Sequence, residues 1–360
     1  FRFRQRMSLD KYKGLFEELQ KDKEANDKLS DKNDRILVID GLNTFIRVWS
    51  VVPSLNEDGL HVGGIVGFMK SVGALIRQYN PTRCIIAFDG KNGSQRRKKL
   101  YPDYKAGRSF KINVNRAEHM KQSEDKEMES MRLQFARLSM YLQTLPISVL
   151  SIDNIEADDV IGYITTEIYK DSEIIISSSD KDFLQLINDR VKVWAPVKKQ
   201  LMDKDKVLEK FEIPAHNLLP FRAFDGDGSD NIGGVKGVGR KGLIKNVPII
   251  TEAKELTVTD IVDYAKQQIK DGSKYVVYQK IVDGYDIVKR NARLMDLREN
   301  HLISGPTKLK IQRLVEADIP KLDRADFKKM FMTDKMFNAI PNVDGWMTNT
   351  FNTLDAFRRK

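Results

Sequence analysis

Three short apolar runs in this chain stop on an aspartate: RILVID (35–40), CIIAFD (84–89) and EIIISSSD (173–180). SVLSID (148–153) is a fourth run of the same kind. Unbroken Ile/Val-rich runs of this length suit strands buried on both faces, as in a parallel sheet. Helical patterns lie between them, as in VGGIVGFMKSVGALIRQY (62–79) and across 158–170. Strands alternating with helices predict an α/β fold with a mainly parallel, doubly wound sheet flanked by helices. Residues just past the carboxyl ends of such strands line the ligand crevice. Asp40, Asp89 and Asp180 should therefore converge on one edge. An aspartate after a strand also serves as a turn or helix N-cap residue, so it is the set of three that points to a site.

More acid arrives from other segments. IEADDVIGYI (155–164) places Glu156, Asp158 and Asp159 at the expected start of a helix, where the helix dipole alone would also favour them. SSSDKDF (177–183) adds Asp182, and FDGDGSDNIGGVKGVGRKG (224–242) adds Asp227 and Asp230. Nine carboxylates in one crevice stay ionised only beside cations; otherwise several hold protons. One cysteine, Cys84, and four scattered histidines (61, 119, 216, 301) leave no soft or imidazole ligand set. Oxygen donors select hard cations such as Mg²⁺ or Mn²⁺. A two-metal carboxylate site suits in-line displacement at phosphorus.

The charge balance names the other reactant. Sixty-one Lys/Arg against 51 Asp/Glu give a net charge of +10. Residues 91–121 carry ten of the cations, including Arg96, Arg97, Lys105, Arg108 and Arg116, against Asp103 and Glu118. A tract this basic points to a polyanion, bound by phosphate neutralisation and counterion release. It argues against a small-molecule phosphatase. GVKGVGRKG (234–242) forms a glycine hairpin whose backbone N–H groups can face a phosphate, with Lys236, Arg240 and Lys241 beside Gly237 and Gly239. No run approaches the roughly 20 apolar residues of a membrane span, and FRFRQRMSLDKYK lacks the apolar core of a secretory leader. A cytoplasmic, monomeric protein without membrane attachment is expected.

VIDG, AFDG, YKAGR, EADD, SSDKDF and GDGSDNIGGVKGVGRKG, in this order, resemble the structure-specific 5′ nucleases. These include flap endonucleases, the 5′-nuclease domain of bacterial DNA polymerase I and stand-alone bacteriophage 5′-exonuclease/ribonuclease H enzymes. The resemblance covers about residues 35–300 and is strongest to the phage enzymes. It implies a PIN-like core with a helical arch over about 96–135 and a helix–hairpin–helix DNA-binding region. By motif, Asp40, Asp89, Glu156 and Asp158 look like ligands of a first metal. Asp159, Asp180, Asp182, Asp227 and Asp230 look like a second group. Lys105 and Arg108 match the basic pair facing the scissile phosphate, Arg96 and Arg97 join the nucleic-acid-binding set, and Tyr104 matches a position that stacks on a base. The hairpin of Gly234 to Gly242 matches the element that grips duplex DNA, often with a K⁺ ion.

The implied activity is Mg²⁺-dependent 5′-3′ exonuclease, flap endonuclease and RNase H cleavage near single-strand/duplex junctions, serving primer and flap removal in lagging-strand replication. The implied partners are branched or nicked DNA and RNA–DNA duplex with a 5′ single-stranded end. A PIN-type single-strand ribonuclease and a non-catalytic structure-specific binding protein are the alternatives. The domain boundaries expected are an N-terminal extension over 1–34, with a helix striped by Leu9, Tyr12, Phe16 and Leu19, a core over 35–220, the hairpin region over 221–317 and a C-terminal extension over 318–360. That extension carries Phe327, Phe331, Phe337, Trp346, Phe351 and Phe357. Such density suits extra packed helices, the alternative being a docking surface for a single-stranded-DNA-binding protein.

Overall fold

A computed structural model describes residues 31–107, 114–117 and 120–358. The expected N-terminal helix and Arg108 lie outside the described residues. The centre is a six-stranded sheet: β1 (Arg35–Asp40), β2 (Arg83–Asp89), β3 (Ser148–Ile152), β4 (Glu173–Ser177), β5 (Val191–Ala195) and β6 (Gln200–Met202). The spatial order is β3-β2-β1-β4-β5-β6. Neighbours are parallel except β6, which closes one edge antiparallel to β5. The chain reverses direction of growth at β1, which lies between β2 and β4. A crevice at the carboxyl end is expected there.

The helices are α1 (Gly41–Val51), α2 (Gly63–Tyr79), α3 (Gln95–Leu100), α4 (Glu124–Leu142), α5 (Ala157–Tyr163), α6 (Lys204–Phe211), α7 (Leu218–Asp225), α8 (Arg240–Asn246), α9 (Val258–Lys270), α10 (Val276–Asp283), α11 (Tyr285–Met295), α12 (Gly305–Glu316), α13 (Arg324–Thr333) and α14 (Val343–Phe357). They cover both faces of the sheet. Strand residues alternate between the two cores: Ile36, Val38 and Ile85 pack with helices from α5 to α12, whereas Leu37, Ile39, Cys84 and Ile86 pack with α1, α2, α4, α13 and α14. Cys84 is fully buried, and burial pushes its thiol far above the ordinary range. A two-stranded ribbon, β7 (Gly226–Asp227) with β8 (Ile232–Gly233), follows α7. The helix expected over 158–170 stops at Tyr163 and continues as a π turn through Ile168.

Two glycines align the strand ends. A Cβ on Gly41, after Asp40, would lie 2.4 Å from the Phe88 ring, and one on Gly90, after Asp89, would lie 1.7 Å from the Ile152 carbonyl oxygen. The turns leaving β1 and β2 thus pack too closely for any side chain, which holds both aspartates at the rim.

The C-terminal helices are part of the core. Phe327, Phe331, Phe351 and Leu354 are buried in the same cluster as Phe45, Val66 and Ile86. Asp334 accepts from Arg137 Nε at 2.8 Å and from the Tyr141 hydroxyl at 2.7 Å, which ties the end of α13 to α4. Phe337 alone among the six aromatics is largely exposed, at 41%. Phe327→Ala is therefore expected to destabilise the protein by about 3–5 kcal/mol within one unfolding transition, measured by urea denaturation. A loss below about 0.5 kcal/mol, or a separate early transition, would show that α13 and α14 fold apart from the sheet.

Candidate active site

The carboxyl ends of the strands deliver the first acids. Asp40 ends β1 and caps α1, accepting from the Asn43 N–H at 3.2 Å and from the Ser178 hydroxyl at 2.9 Å. It faces the charges of Asp89 and Asp180, and burial above all raises its pKa to about 6. Asp89 ends β2 and accepts from the Ala157 N–H at 2.7 Å, fixing the start of α5. Asp180 follows β4 and accepts from the Asp182 N–H at 2.8 Å.

The start of α5 brings Glu156, Asp158 and Asp159 within 4.8 Å of one another, close enough to hold one ion. Arg97 lies inside this group, 3% exposed. Its Nη1 is 2.5 Å from Glu156, 2.7 Å from Asp159 and 3.4 Å from Asp158, its Nη2 donates to Asp159 at 2.8 Å, and its Nε donates to the Leu294 carbonyl at 2.9 Å. Burial raises the pKa of Asp158 and Asp159 despite Arg97. Burial would raise Glu156 too, but Arg97 and Lys105 together hold it below the usual range.

A loop over 101–107 docks onto the segment before the glycine hairpin. The Lys105 N–H donates to the Asp230 carbonyl at 2.9 Å, and Asn231 Nδ2 donates to the Asp103 carbonyl at 2.8 Å. Lys105 adopts φ +56°, a left-handed conformation that is strained for a side chain of its size. Its ammonium rests 2.5 Å from Glu156 and 3.9 Å from Asp230. The Tyr104 hydroxyl is shared between Glu156 (3.1 Å) and Asp230 (3.0 Å). Arg222 of α7 joins the last two acids, at 2.6 Å from Asp182 and 2.7 Å from Asp227. Burial lifts Asp182 to about 7, whereas Ser229 and Arg222 overcome burial and hold Asp227 low. A cleft of about 400 Å³ opens beside Asp180, Arg222 and Asp227.

Three expectations change. Arg97 is buried on the carboxylates rather than facing a strand, because three acids at the start of α5 need a counter-ion where water is excluded. Arg96 turns inward as well, donating to the Leu302 carbonyl and to Thr307. Tyr104 is 1% exposed with its hydroxyl on two acids, so its ring offers no face to a base. The basic tract is thus partly internal: Arg116 is also buried, paired with Glu127 and lying over Trp49.

The hairpin stands on the neighbouring surface. Gly237 adopts φ +83°, and Gly239 precedes α8. Lys236, Gly237, Gly239 and Lys241 are exposed, while Arg240 donates to the Lys210 carbonyl at 3.0 Å. Sequence reasoning missed Lys280, whose ammonium would be 2.7 Å from a Cβ on Gly237, and it missed Ser178, Asn43 and Arg222 around the acids. The last had a signal: it is a lone cation within the apolar helix LLPFRAFD.

The family model for the 5′-3′ exonuclease, N-terminal resolvase-like domain, matches residues 35–212. A flap endonuclease Xni of Shewanella sp. (strain MR-4) is 32% identical over 211 residues, covering 58% of this chain and 72% of that protein. The chain belongs to the 5′-3′ exonuclease family. A 5′-3′ exonuclease of Aquifex aeolicus is 28% identical over 211 residues, covering 58% of this chain and 67% of that one. The fold of this 5′-3′ exonuclease family member is also that of the bacteriophage T5 D15 flap endonuclease, solved in a complex with DNA and metal ions (TM-score 0.57, 20% identity, 84% of this chain and 99% of that one). Among the described residues no helix is long and apolar enough to cross a membrane.

The donor set fits a hard divalent cation: the ligand atoms that converge are carboxylate oxygens, and the buried Oδ1 of Asp182 has an ion-pair contact with Arg222 but no hydrogen bond. Asp40 at about 6 and Asp182 at about 7 lie above the ordinary 3.8. Between those values the folded state binds more protons than the unfolded state, so metal-free stability falls as pH rises from about 4 to 7. A divalent cation that holds these carboxylates ionised must displace their protons. The gain in melting temperature on adding Mg²⁺ is therefore expected to be larger at pH 8 than at pH 5, read by thermal unfolding against an EDTA control. Equal gains at both values would separate these acids from the ion.

Proposed function

We propose that this chain is a divalent-metal-dependent, structure-specific 5′ nuclease that cleaves phosphodiesters near single-strand/duplex junctions, on DNA flaps and on RNA primers paired to DNA. One observation carries the reading. Nine carboxylates from five stretches of chain form one connected network, and among the described residues three cations, Arg97, Lys105 and Arg222, touch them directly. A pocket so acidic has use for further cations, and an exposed basic hairpin stands next to it.

Asp40, Asp89, Glu156, Asp158 and Asp180 would hold Mg²⁺ or Mn²⁺ at the strand ends, with Asp159, Asp182, Asp227 and Asp230 completing the set. Bound there, such ions supply an acidified water and charge to meet the developing oxyanion. Lys236, Arg240 and Lys241 hold the duplex by its phosphates, which gives position without base readout, and a K⁺ ion at the hairpin suits the same role. Lys105 is 22% exposed and sits at the rim on a strained backbone, from which its ammonium can turn to a non-bridging phosphate oxygen. Loss of one such donor typically lowers a rate by roughly 10²–10³-fold. Tyr104 and Arg97 act from behind, keeping Glu156 and Asp159 aimed. The task that suits this chemistry is removal of primers and flaps during replication.

The test is cleavage of a 3′-labelled 5′-flap duplex and a matched RNA-primed duplex, with Mg²⁺ and with EDTA. Metal-dependent products near the junction are expected. Preference for unstructured RNA would favour a single-strand ribonuclease instead, and tight binding without cleavage would favour a binding protein. Asp180→Asn is expected to abolish cleavage while leaving duplex binding intact or stronger, by gel shift; a near-normal rate would remove Asp180 from the site. Lys241→Ala should weaken duplex binding and lower its salt slope by about one. An unchanged slope would mean that Lys241 meets no phosphate.

A further inference from the structure

Two arginines sit among the acids, and they are held differently. Arg97 is saturated, with Nε on a carbonyl and both terminal nitrogens on carboxylates. Arg222 uses a single terminal nitrogen, Nη2, for both Asp182 and Asp227. Only the contact with Asp227 has hydrogen-bond geometry. Asp182 Oδ1 is thus buried with an ion-pair contact but no hydrogen bond, and Arg222 Nε is buried with no hydrogen-bond partner. Arg222 also lines the cleft of about 400 Å³, so open space lies beside its guanidinium.

The two acids come from different stretches. Asp182 starts the 3₁₀ turn after β4, and Asp227 ends β7 in the segment that leads to the hairpin. We infer that Arg222 is a displaceable internal counter-ion, which holds Asp182 and Asp227 together until a divalent cation takes its place between them and its guanidinium moves into the cleft. This rests on the metal-dependent reading above. Without a cation between them, two carboxylates from separate segments repel and part. A guanidinium suits the position because its charge is delocalised and weakly hydrated. A divalent ion brings twice the charge in a smaller volume and can take over the Asp182 Oδ1, which Arg222 meets at 2.6 Å without hydrogen-bond geometry. Arg222 thus keeps the pocket assembled at the expense of affinity for the ion, whereas Arg97 stays in place.

Arg222→Gln and Arg222→Lys, made in the full chain, test this through thermal unfolding in EDTA and Mn²⁺ binding by titration calorimetry without DNA. Arg222→Gln should unfold at a lower temperature than wild type in EDTA, recover the wild-type value at saturating Mn²⁺, and bind Mn²⁺ about ten-fold tighter because a nearby positive charge is gone. Arg222→Lys should restore most of the stability in EDTA. Should Arg222→Gln fail to fold, Arg222→Lys carries the test: a point charge without the planar fork competes less well and should bind Mn²⁺ several-fold tighter than wild type. An equal loss of stability with and without Mn²⁺, at unchanged affinity, would make Arg222 a structural brace and overturn the inference. Weaker Mn²⁺ binding would overturn it too, since Arg222 would then support the ion. A wild-type protein that binds no Mn²⁺ would remove the metal-dependent reading itself, an outcome distinct from the other two.

Discussion

Repulsion among buried carboxylates is the constraint on which the rest of this structure depends. Glu156 and Asp159 are 4% and 5% exposed, and water cannot screen them. Their charge must be met by a cation or a proton. The protein uses both. Arg97 is buried between the acids of α5, Lys105 reaches Glu156 from the rim, and Arg222 spans Asp182 and Asp227. Burial still leaves Asp40 and Asp182 able to hold protons near neutral pH. Removing one partner of a buried pair typically costs about 3–5 kcal/mol, so Arg97 stabilises the fold as well as shaping the pocket.

The same constraint explains how distant segments fit together. Parallel strands bring Asp40 and Asp89 to one rim, and the glycines that follow let the two turns pack against Phe88 and the end of β3. The 101–107 loop reaches the segment before the hairpin through Asp103, Lys105 and Asn231, so the element beside the acids is joined to the element that presents Lys236 and Lys241. The hairpin segment and the acids are therefore tied together by one backbone and one side-chain hydrogen bond. The C-terminal helices brace α4 through Asp334 and Phe327, completing the core on the far face of the sheet.

The strands and the acids at their ends were legible because both depend on local sequence: an apolar run sets a buried parallel strand, and its last residue emerges at the rim. The destinations of the cations were not. Arg96, Arg97 and Arg116 look alike in a basic tract, and only tertiary packing turns them inward, toward Leu302, the acids of α5 and Glu127. Tyr104 was misread for the same reason, since its burial depends on a loop meeting a segment more than a hundred residues away. Arg222 carried a local mark, a charge inside an apolar helix, but its partners come from two turns that the sequence does not place side by side. The end of α5 at Tyr163 was missed because a π turn keeps the helical pattern of side chains while changing its hydrogen bonds.

The most direct test of the charge account is anomalous diffraction from crystals soaked in Mn²⁺. The account predicts two peaks about 4 Å apart, among Asp40, Asp89, Glu156, Asp158, Asp180 and their neighbours. The described residues hold one other acidic cluster near a histidine, Asp296 with Glu299 and His301. Peaks confined to that cluster, or no peak at the strand ends, would contradict the claim that the nine carboxylates are gathered to hold metal.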